Sequence, residues 1–370
     1  MPYLTDKMQD IKRKDLQKNA LAADNVVMGN ISHPHKTYNG LNTRFKFDID
    51  FIESELRANI VGQDHIIDLV LNTLQVVRAD ICDPRKPLAT VLFAGPTGVG
   101  KTEIVRVITR ALYGDADKMC RVDMNTLAQE HYSAALTGAP PGYVGSKEGT
   151  TILDQEMIEG SHTIPGIVLF DELEKASKEV SMALLNVFDN GTLTVASGEK
   201  TYSFRNSIIF MTSNIGAKEL IKTQKRFSKL SNFFESEQLK GKKIVEEKLL
   251  ARFPPEFVNR IDDISVFNWL DRSVMQALVA VEFKRLNNRL LKHDIIINTD
   301  DSLIKLLAKD GYSRRYGARA LRRTIRKYVE FPLAHFLNSI DVSVGSDIGQ
   351  LTLNATVVKG IVNFERMVRE

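Results

Sequence analysis

The sequence predicts an α/β fold, a parallel sheet covered by helices, followed by a smaller and mainly α-helical domain with short strands. Three observations carry this expectation. Short, wholly apolar runs at Thr90–Ala94, Ile167–Phe170 and Ser207–Met211 alternate with segments of helical period, and strands apolar on both faces belong to parallel sheets buried between helices. A glycine-rich turn, residues 95–102, joins the first run to a helix bearing Ile104, Val105, Ile108 and Leu112. Beyond residue 270 helical patterns dominate, broken by short β-rich pieces.

Length and composition bound the classes. A chain of 370 residues allows two or three folded units, and 43% apolar with 26% charged residues matches ordinary globular domains, which excludes fibrous and disordered classes. Fifty basic against 46 acidic residues leave +4, too little over this length to imply nucleic-acid binding by itself. Cys82 and Cys120 are too few for a disulfide framework, which suits a reducing compartment. No apolar stretch approaches the roughly 18 residues a membrane span requires. The opening MPYLTDKMQDIKRKD lacks an apolar targeting segment and mixes acids with its bases. A cytoplasmic protein with no membrane segment is expected.

In order along the chain, residues 1–47 are polar, without sustained periodicity, and read as a flexible or partner-ordered arm. Residues 48–270 form the expected large α/β domain. It begins with two helices over Asp48–Val77, broken at Val61-Gly62-Gln63, and its strands are the three apolar runs plus Cys120–Asp123. Residues 271–370 form the expected small domain. Asp271 is placed to cap a helix with Val274, Leu278, Val281 and Leu286; a strand at Ile295–Ile297, helices over Ser302–Lys309 and Ala318–Leu337, and a strand at Leu351–Leu353 follow.

Gly95-Pro96-Thr97-Gly98-Val99-Gly100-Lys101-Thr102 fits the phosphate-loop pattern, between a strand and a helix as that pattern requires. Its backbone N–H groups can wrap phosphates at a helix N-terminus, Lys101 can reach the β and γ phosphates, and Thr102 can ligate Mg²⁺. Asp171 and Glu172 follow an apolar strand, at the end where ligands bind in open α/β sheets. Asp171 suits Mg²⁺ held through water, and Glu172 suits polarisation of an attacking water, so the pair favours hydrolysis over nucleotide binding alone. Asn214 ends the next strand, where an amide can orient water or a γ-phosphate or simply make a turn. Arg260 follows a predicted helix and Arg319 stands at a helix start, and by spacing alone either is an ordinary surface charge.

These motifs, with MTSNIG (211–216), EFVNRID (256–262) and YGARAL (316–321), occur in the order found in Clp-type AAA+ ATPases. The chain resembles the second ATPase ring of the ClpA and ClpB unfoldases from about Asp48 to Ile340, and TGAPPGYVGSKEGT (137–150) is the most family-specific stretch. The resemblance implies an AAA+ phosphate-loop domain with a lid, ATP and Mg²⁺ as cofactors, and assembly as a homo-hexamer. It implies Arg260 as an arginine finger reaching a neighbouring subunit, Arg319 as the lid arginine sensing the γ-phosphate and Asn214 as the sensor-one residue. Val61 and Gly62 would lie along the adenine. Tyr143 and Val144 resemble the pore loop that grips extended polypeptide, where flanking glycines let the loop swing and an aromatic holds diverse side chains. A hairpin over 190–200 would sit near the pore, although its ASGE departs from the family's DGQG.

The function so implied is a single-ring, ATP-hydrolysing unfoldase or remodelling chaperone that threads polypeptide through a central pore. Only the arm stands where relatives carry recruiting domains, so an adaptor would act through residues 1–47. The interval 218–250 lacks the tripeptide that docks ClpP, and no docking by that loop is expected. Its Phe227, Phe233 and Phe234 lie among lysines, but Glu235, Glu237, Glu246 and Glu247 dilute the charge and argue against nucleic acid. Two alternatives stay open: an ATP-gated assembly factor with slow turnover, and a DNA-directed AAA+ motor.

Overall fold

The computed structural model describes residues 43–128, 152–195, 200–217, 219–220, 234–313, 316–339, 351–358 and 360–367. The described residues divide into two compact units. The first is drawn from Met1–Arg57, His65–Gly95 and Lys101–Phe267, and the second from Ala58–Asp64, Pro96–Gly100 and Asn268–Glu370.

The first unit opens with helices α1 (Ile49–Asn59) and α2 (Asp64–Arg78), whose apolar stripes, Ile52 and Leu56 in one and Ile66, Ile67, Val70 and Leu74 in the other, are buried. Strand β1 (Ala89–Ala94) leads into α3 (Lys101–Tyr113), and β2 (Cys120–Asp123), α4 (Gln155–Glu159) and β3 (Gly166–Asp171) follow. Then come α5 (Lys178–Asn190), the hairpin β4 (Thr192–Thr194) and β5 (Thr201–Ser203), and β6 (Ser207–Ser213). Helices α6 (Phe234–Leu250) and α7 (Pro255–Val258) precede β7 (Asp263–Val266).

The main sheet has the order β2-β3-β6-β1-β7, with every neighbouring pair parallel. Every residue of β1, β3 and β6 is buried, as continuous apolar runs in a doubly covered sheet demand. The register sets Ala94 beside Ser213, Phe170 beside Met211 and Asp123 beside Asp171, so four strands end along one edge. Helix α5 shows how the local sequence fixes an element. Ser177 caps its start by accepting the Val180 N–H at 3.3 Å, and Gly191 ends it in a left-handed conformation with its N–H on the Val187 carbonyl.

Two sequence expectations need amendment here. The edge strand β7 went unmarked because its four residues, DISV, begin with an acid and form no apolar run. The basic interval supplies a helix, α6, whose Val245 and Leu249 enter the core while Lys240, Lys242 and Lys243 face solvent; Phe227 and Phe233 and the hairpin tip 196–199 lie outside the described residues.

The second unit carries α8 (Met275–Leu290), β8 (Ile295–Thr299), α9 (Asp301–Asp310), α10 (Ala318–Ile325), α11 (Phe331–Ser339), β9 (Leu351–Val358) and β10 (Ile361–Arg366). Its sheet runs β10-β9-β8, with β8 parallel and β10 antiparallel to β9. The expected single strand near Leu351 is thus a hairpin that buries Leu353, Ala355, Val362 and Phe364 by alternation. Asp271 precedes a 3₁₀ turn (Arg272–Val274) without a side-chain cap, and α8 begins only at Met275. The expected helix over Ala318–Leu337 is interrupted by one wide turn, Arg326–Glu330, closed by the Phe331 N–H on the Arg326 carbonyl. Pro332 explains it. Its ring lacks an N–H and would strike the Tyr328 carbonyl four residues back in a regular helix, and i→i+5 bonding makes room.

Gly166 opens β3 where a Cβ would lie 2.0 Å from the Ile158 carbonyl oxygen of α4. Gly166→Ala is expected to lower the unfolding free energy by about 1–3 kcal/mol, because α4 must move off the strand; a urea titration followed by circular dichroism measures it.

Candidate functional site

Parallel strands deliver their C-terminal residues to a common edge, and there the first unit gathers the side chains singled out from sequence. Lys101, only 7% exposed at the start of α3, donates through Nζ to the Gly95 carbonyl at 2.8 Å and to Asn214 Oδ1 at 3.0 Å. Thr102 Oγ1 donates to Asp171 Oδ1 at 3.3 Å. Lys101, Thr102, Asp171 and Asn214 therefore form one connected set, drawn from α3, β3 and the end of β6.

Asp171 is 8% exposed, and a carboxylate taken that far from water needs donors around it. The Thr102 hydroxyl is one. Thr212 on β6 is another, donating from Oγ1 to Oδ1, and Arg121 on β2 is the third, with Nη2 2.6 Å from Oδ2. Arg121 is about half exposed, so water screens the pair and its effect on stability is small. What it fixes is the direction of the carboxylate.

Glu172 follows with φ 56° and ψ 48°, the left-handed region that costs a residue with a Cβ about 1–2 kcal/mol. The neighbourhood holds it there. Its N–H donates to Thr212 Oγ1 at 3.1 Å, and its carbonyl accepts the Lys175 N–H at 2.8 Å, closing the 3₁₀ turn Leu173–Lys175. The strained backbone turns Glu172 out of the strand direction, leaving it half-buried beside Asp171.

Arg260 stands after α7, whose Phe257 is fully buried between Phe253 and Phe188, at centroid distances of 4.9 and 5.4 Å. The Arg260 carbonyl accepts from Thr90 Oγ1 at 2.9 Å, and its guanidinium Nε lies 2.6 Å from Asp189 Oδ1 on α5. Within its own chain this arginine is paired with Asp189 rather than grouped with Lys101 and Asp171.

In the second unit, Gly98 has φ +77°, its carbonyl accepts the Ala318 N–H at 2.9 Å, and a Cβ there would sit 2.2 Å from the Tyr316 carbonyl oxygen. Only glycine fits so close a backbone approach. Pro96 and Val99 are buried, while Thr97 is exposed, and Gly100 joins the loop to Lys101. Val61 and Gly62 precede Gln63, which is fully buried and uses both ends of its amide on the Asn268 backbone, at 2.9 and 3.0 Å. Arg319 is exposed in the first turn of α10. Tyr143 and Val144 lie outside the described residues.

Sequence reasoning missed Arg121 and Thr212, which hold Asp171, and Asp189, which holds Arg260. None of them belongs to a spacing pattern, and nothing in the sequence marks them before the strand order is known. Burial pushes the Cys120 thiol up to about 11 and raises that of Cys82 as well, which disfavours the nucleophilic thiolate at both. No group of three or more metal-ligating His, Cys, Asp or Glu occurs among the described residues, and none of the described helices is long and apolar enough to cross a membrane.

Comparison with known proteins places this geometry in context. Residues 86–264 match the AAA domain (Cdc48 subfamily), and residues 270–349 match the C-terminal, D2-small domain, of ClpB protein. The chain is 50% identical over 345 residues to the ATP-dependent protease ATP-binding subunit-like protein AmiB of Pseudomonas aeruginosa, covering 91% of this chain and 92% of that one. It is 40% identical over 284 residues to the chaperone protein ClpB of Aquifex aeolicus, covering 76% of this chain but 27% of that longer protein. Among solved structures it is similar to the Saccharomyces cerevisiae Hsp104:casein complex in its extended conformation, with a TM-score of 0.72 and 31% identity, over 85% of this chain and 52% of that chain.

Thr212→Val keeps the shape of β6 but removes the bond to Asp171 and the acceptor for the Glu172 N–H. It is expected to slow ATP turnover at least tenfold and to cost about 1–3 kcal/mol of stability, the penalty for a buried donor left unpaired. Steady-state hydrolysis and a denaturant titration on the same preparation check both.

Proposed function

The chain belongs to the Clp-type AAA+ ATPases, and from that premise we propose that it is a single-ring unfoldase, which hydrolyses ATP to thread polypeptide through a central pore. The observation that carries the reading is the approach of Thr102 Oγ1 to Asp171 Oδ1 at 3.3 Å, with Lys101 next to Thr102 at the start of α3 and Glu172 next to Asp171 at the end of β3. A hydroxyl and a carboxylate in contact are hard oxygen donors that suit Mg²⁺. Thr102 and Asp171 would hold it, and when bound it neutralises charge on the phosphate oxygens.

The chain's own residues do the remaining work in this reading. The N–H groups of residues 98–102 cradle the phosphates, Lys101 exchanges the Gly95 carbonyl for phosphate oxygens, and Val61 and Gly62 border the adenine. Glu172 accepts the proton of the attacking water as it adds to the γ-phosphorus and ADP leaves. Asn214 orients that water or the γ-phosphate, Arg260 exchanges Asp189 for the phosphate of a neighbouring subunit, and Arg319 senses the γ-phosphate from the lid. A role for Arg260 in trans requires assembly with a neighbouring subunit, and the homo-hexamer is the form that resemblance to the Clp family implies. Tyr143 and Val144 grip the polypeptide, the arm recruits through an adaptor, ClpP does not dock by the usual loop, and nucleic acid is not a substrate.

Glu172→Gln is expected to retain nucleotide binding and assembly while losing at least a hundredfold in turnover; full hydrolysis would remove Glu172 from the reaction. Steady-state ATPase should rise with casein and not with DNA, and Tyr143→Ala should keep the basal rate while abolishing the casein response. Stimulation by DNA alone would replace the polypeptide reading with that of a DNA motor. A flat response to both would favour an assembly factor.

A further inference from the structure

We propose that Glu174 is a positioning residue for hydrolysis: it fixes which end of the Asn214 amide faces Lys101 and ties that amide to the turn that carries Glu172. The inference rests on the hydrolytic site proposed above and assigns a role to a side chain outside it.

Glu174 lies two residues after Glu172, inside the 3₁₀ turn Leu173–Lys175. Its carboxylate takes three donors from the end of β6. Ser213 Oγ donates to Oε2 at 2.8 Å, while the Asn214 backbone N–H and Asn214 Nδ2 both donate to Oε1, at 3.2 and 3.1 Å. The other end of the same amide, Oδ1, accepts from Lys101 Nζ at 3.0 Å. A lysine ammonium only donates and an ionised carboxylate only accepts, so Asn214 has one orientation that satisfies both. The two charges of opposite sign thereby hold the amide with its oxygen toward Lys101.

The turn is itself anchored. Arg252 donates to the Glu174 carbonyl at 3.3 Å and to the Ala176 carbonyl at 2.6 Å. With Thr212 bonded to Asp171 and to the Glu172 N–H, all three residues at the end of β6 are fastened to the segment 171–174. A shift of Asn214 toward a γ-phosphate must therefore pull on the turn that sets Glu172. Glu174 acts through these contacts and need not touch nucleotide.

The test uses the full chain and four variants, Glu174→Ala, Glu174→Gln, Asn214→Ala and the Glu174→Ala/Asn214→Ala pair. Steady-state ATPase, affinity for a fluorescent ADP analogue and thermal midpoint are measured for each. Glu174→Ala is expected to lower kcat by about 10- to 100-fold, the usual scale for losing a group that orients a working residue, with KM and ADP affinity changed less than about twofold. The double variant should be no slower than Asn214→Ala, because Glu174 works through that amide. Glu174→Gln should recover most of the turnover, since its carbonyl oxygen still accepts from Asn214.

Wild-type turnover in Glu174→Ala, or losses that multiply in the double variant, would overturn the proposal. So would a glutamine variant as slow as the alanine one, or a fall in ADP affinity and thermal midpoint that parallels kcat, which marks a merely structural role. An Asn214→Ala variant with full turnover would overturn the sensor assignment and this inference together, whereas a slow Asn214→Ala beside a normal Glu174→Ala would overturn the inference alone.

Discussion

A carboxylate at the end of a fully buried strand cannot be left to water, and the arrangement of the first unit follows from meeting that requirement at Asp171. Its donors come from three directions: Thr102 on α3, Arg121 on β2 and Thr212 on β6. The last two are available because the parallel register brings β2 and β6 to either side of β3 and ends all three strands at one level. The same threonine that serves Asp171 also receives the N–H of Glu172 and so supports its left-handed backbone. Satisfying one buried charge thus sets the position of the next side chain, the one proposed to activate water.

Strain at Glu172 fits this view. A left-handed glutamate costs about 1–2 kcal/mol and persists only where surrounding bonds over-determine it. Here those bonds are the Thr212 acceptor, the 3₁₀ turn and the Arg252 clamp on the Glu174 and Ala176 carbonyls.

The sheet was legible in the sequence because strands buried on both faces must be apolar at every position, and Thr90–Ala94, Ile167–Phe170 and Ser207–Met211 are recovered within β1, β3 and β6. The glycine loop and the acid pair were legible for a related reason: both sit at strand ends, where local sequence and location coincide. The edge strand and the elements of the second unit were less so. DISV is too short and too polar at its start to announce β7, and the turn at Arg326–Glu330 follows from Pro332, whose effect on a helix depends on whether the backbone widens or breaks. The partners of the site were not legible at all. Arg121 is 50 residues from Asp171, and Glu174 is 40 from Asn214, and no spacing rule connects them until the strand order is known.

Strand order also explains how residues remote from the chemistry bear on it. Gly166 lies at the opposite end of β3 from Asp171, yet it admits α4 against the strand and so helps fix where β3 begins relative to β6. Phe257 does the same for Arg260: seated between Phe188 of α5 and Phe253, it brings Arg260, two residues beyond α7, to Asp189 on that same α5. In both cases an apolar contact sets a distance that a polar group then uses. Since interiors this closely packed do not deform continuously, a substitution at either place shifts a whole element and moves several site groups together. The charged groups at the edge are therefore only as well placed as the apolar packing behind them.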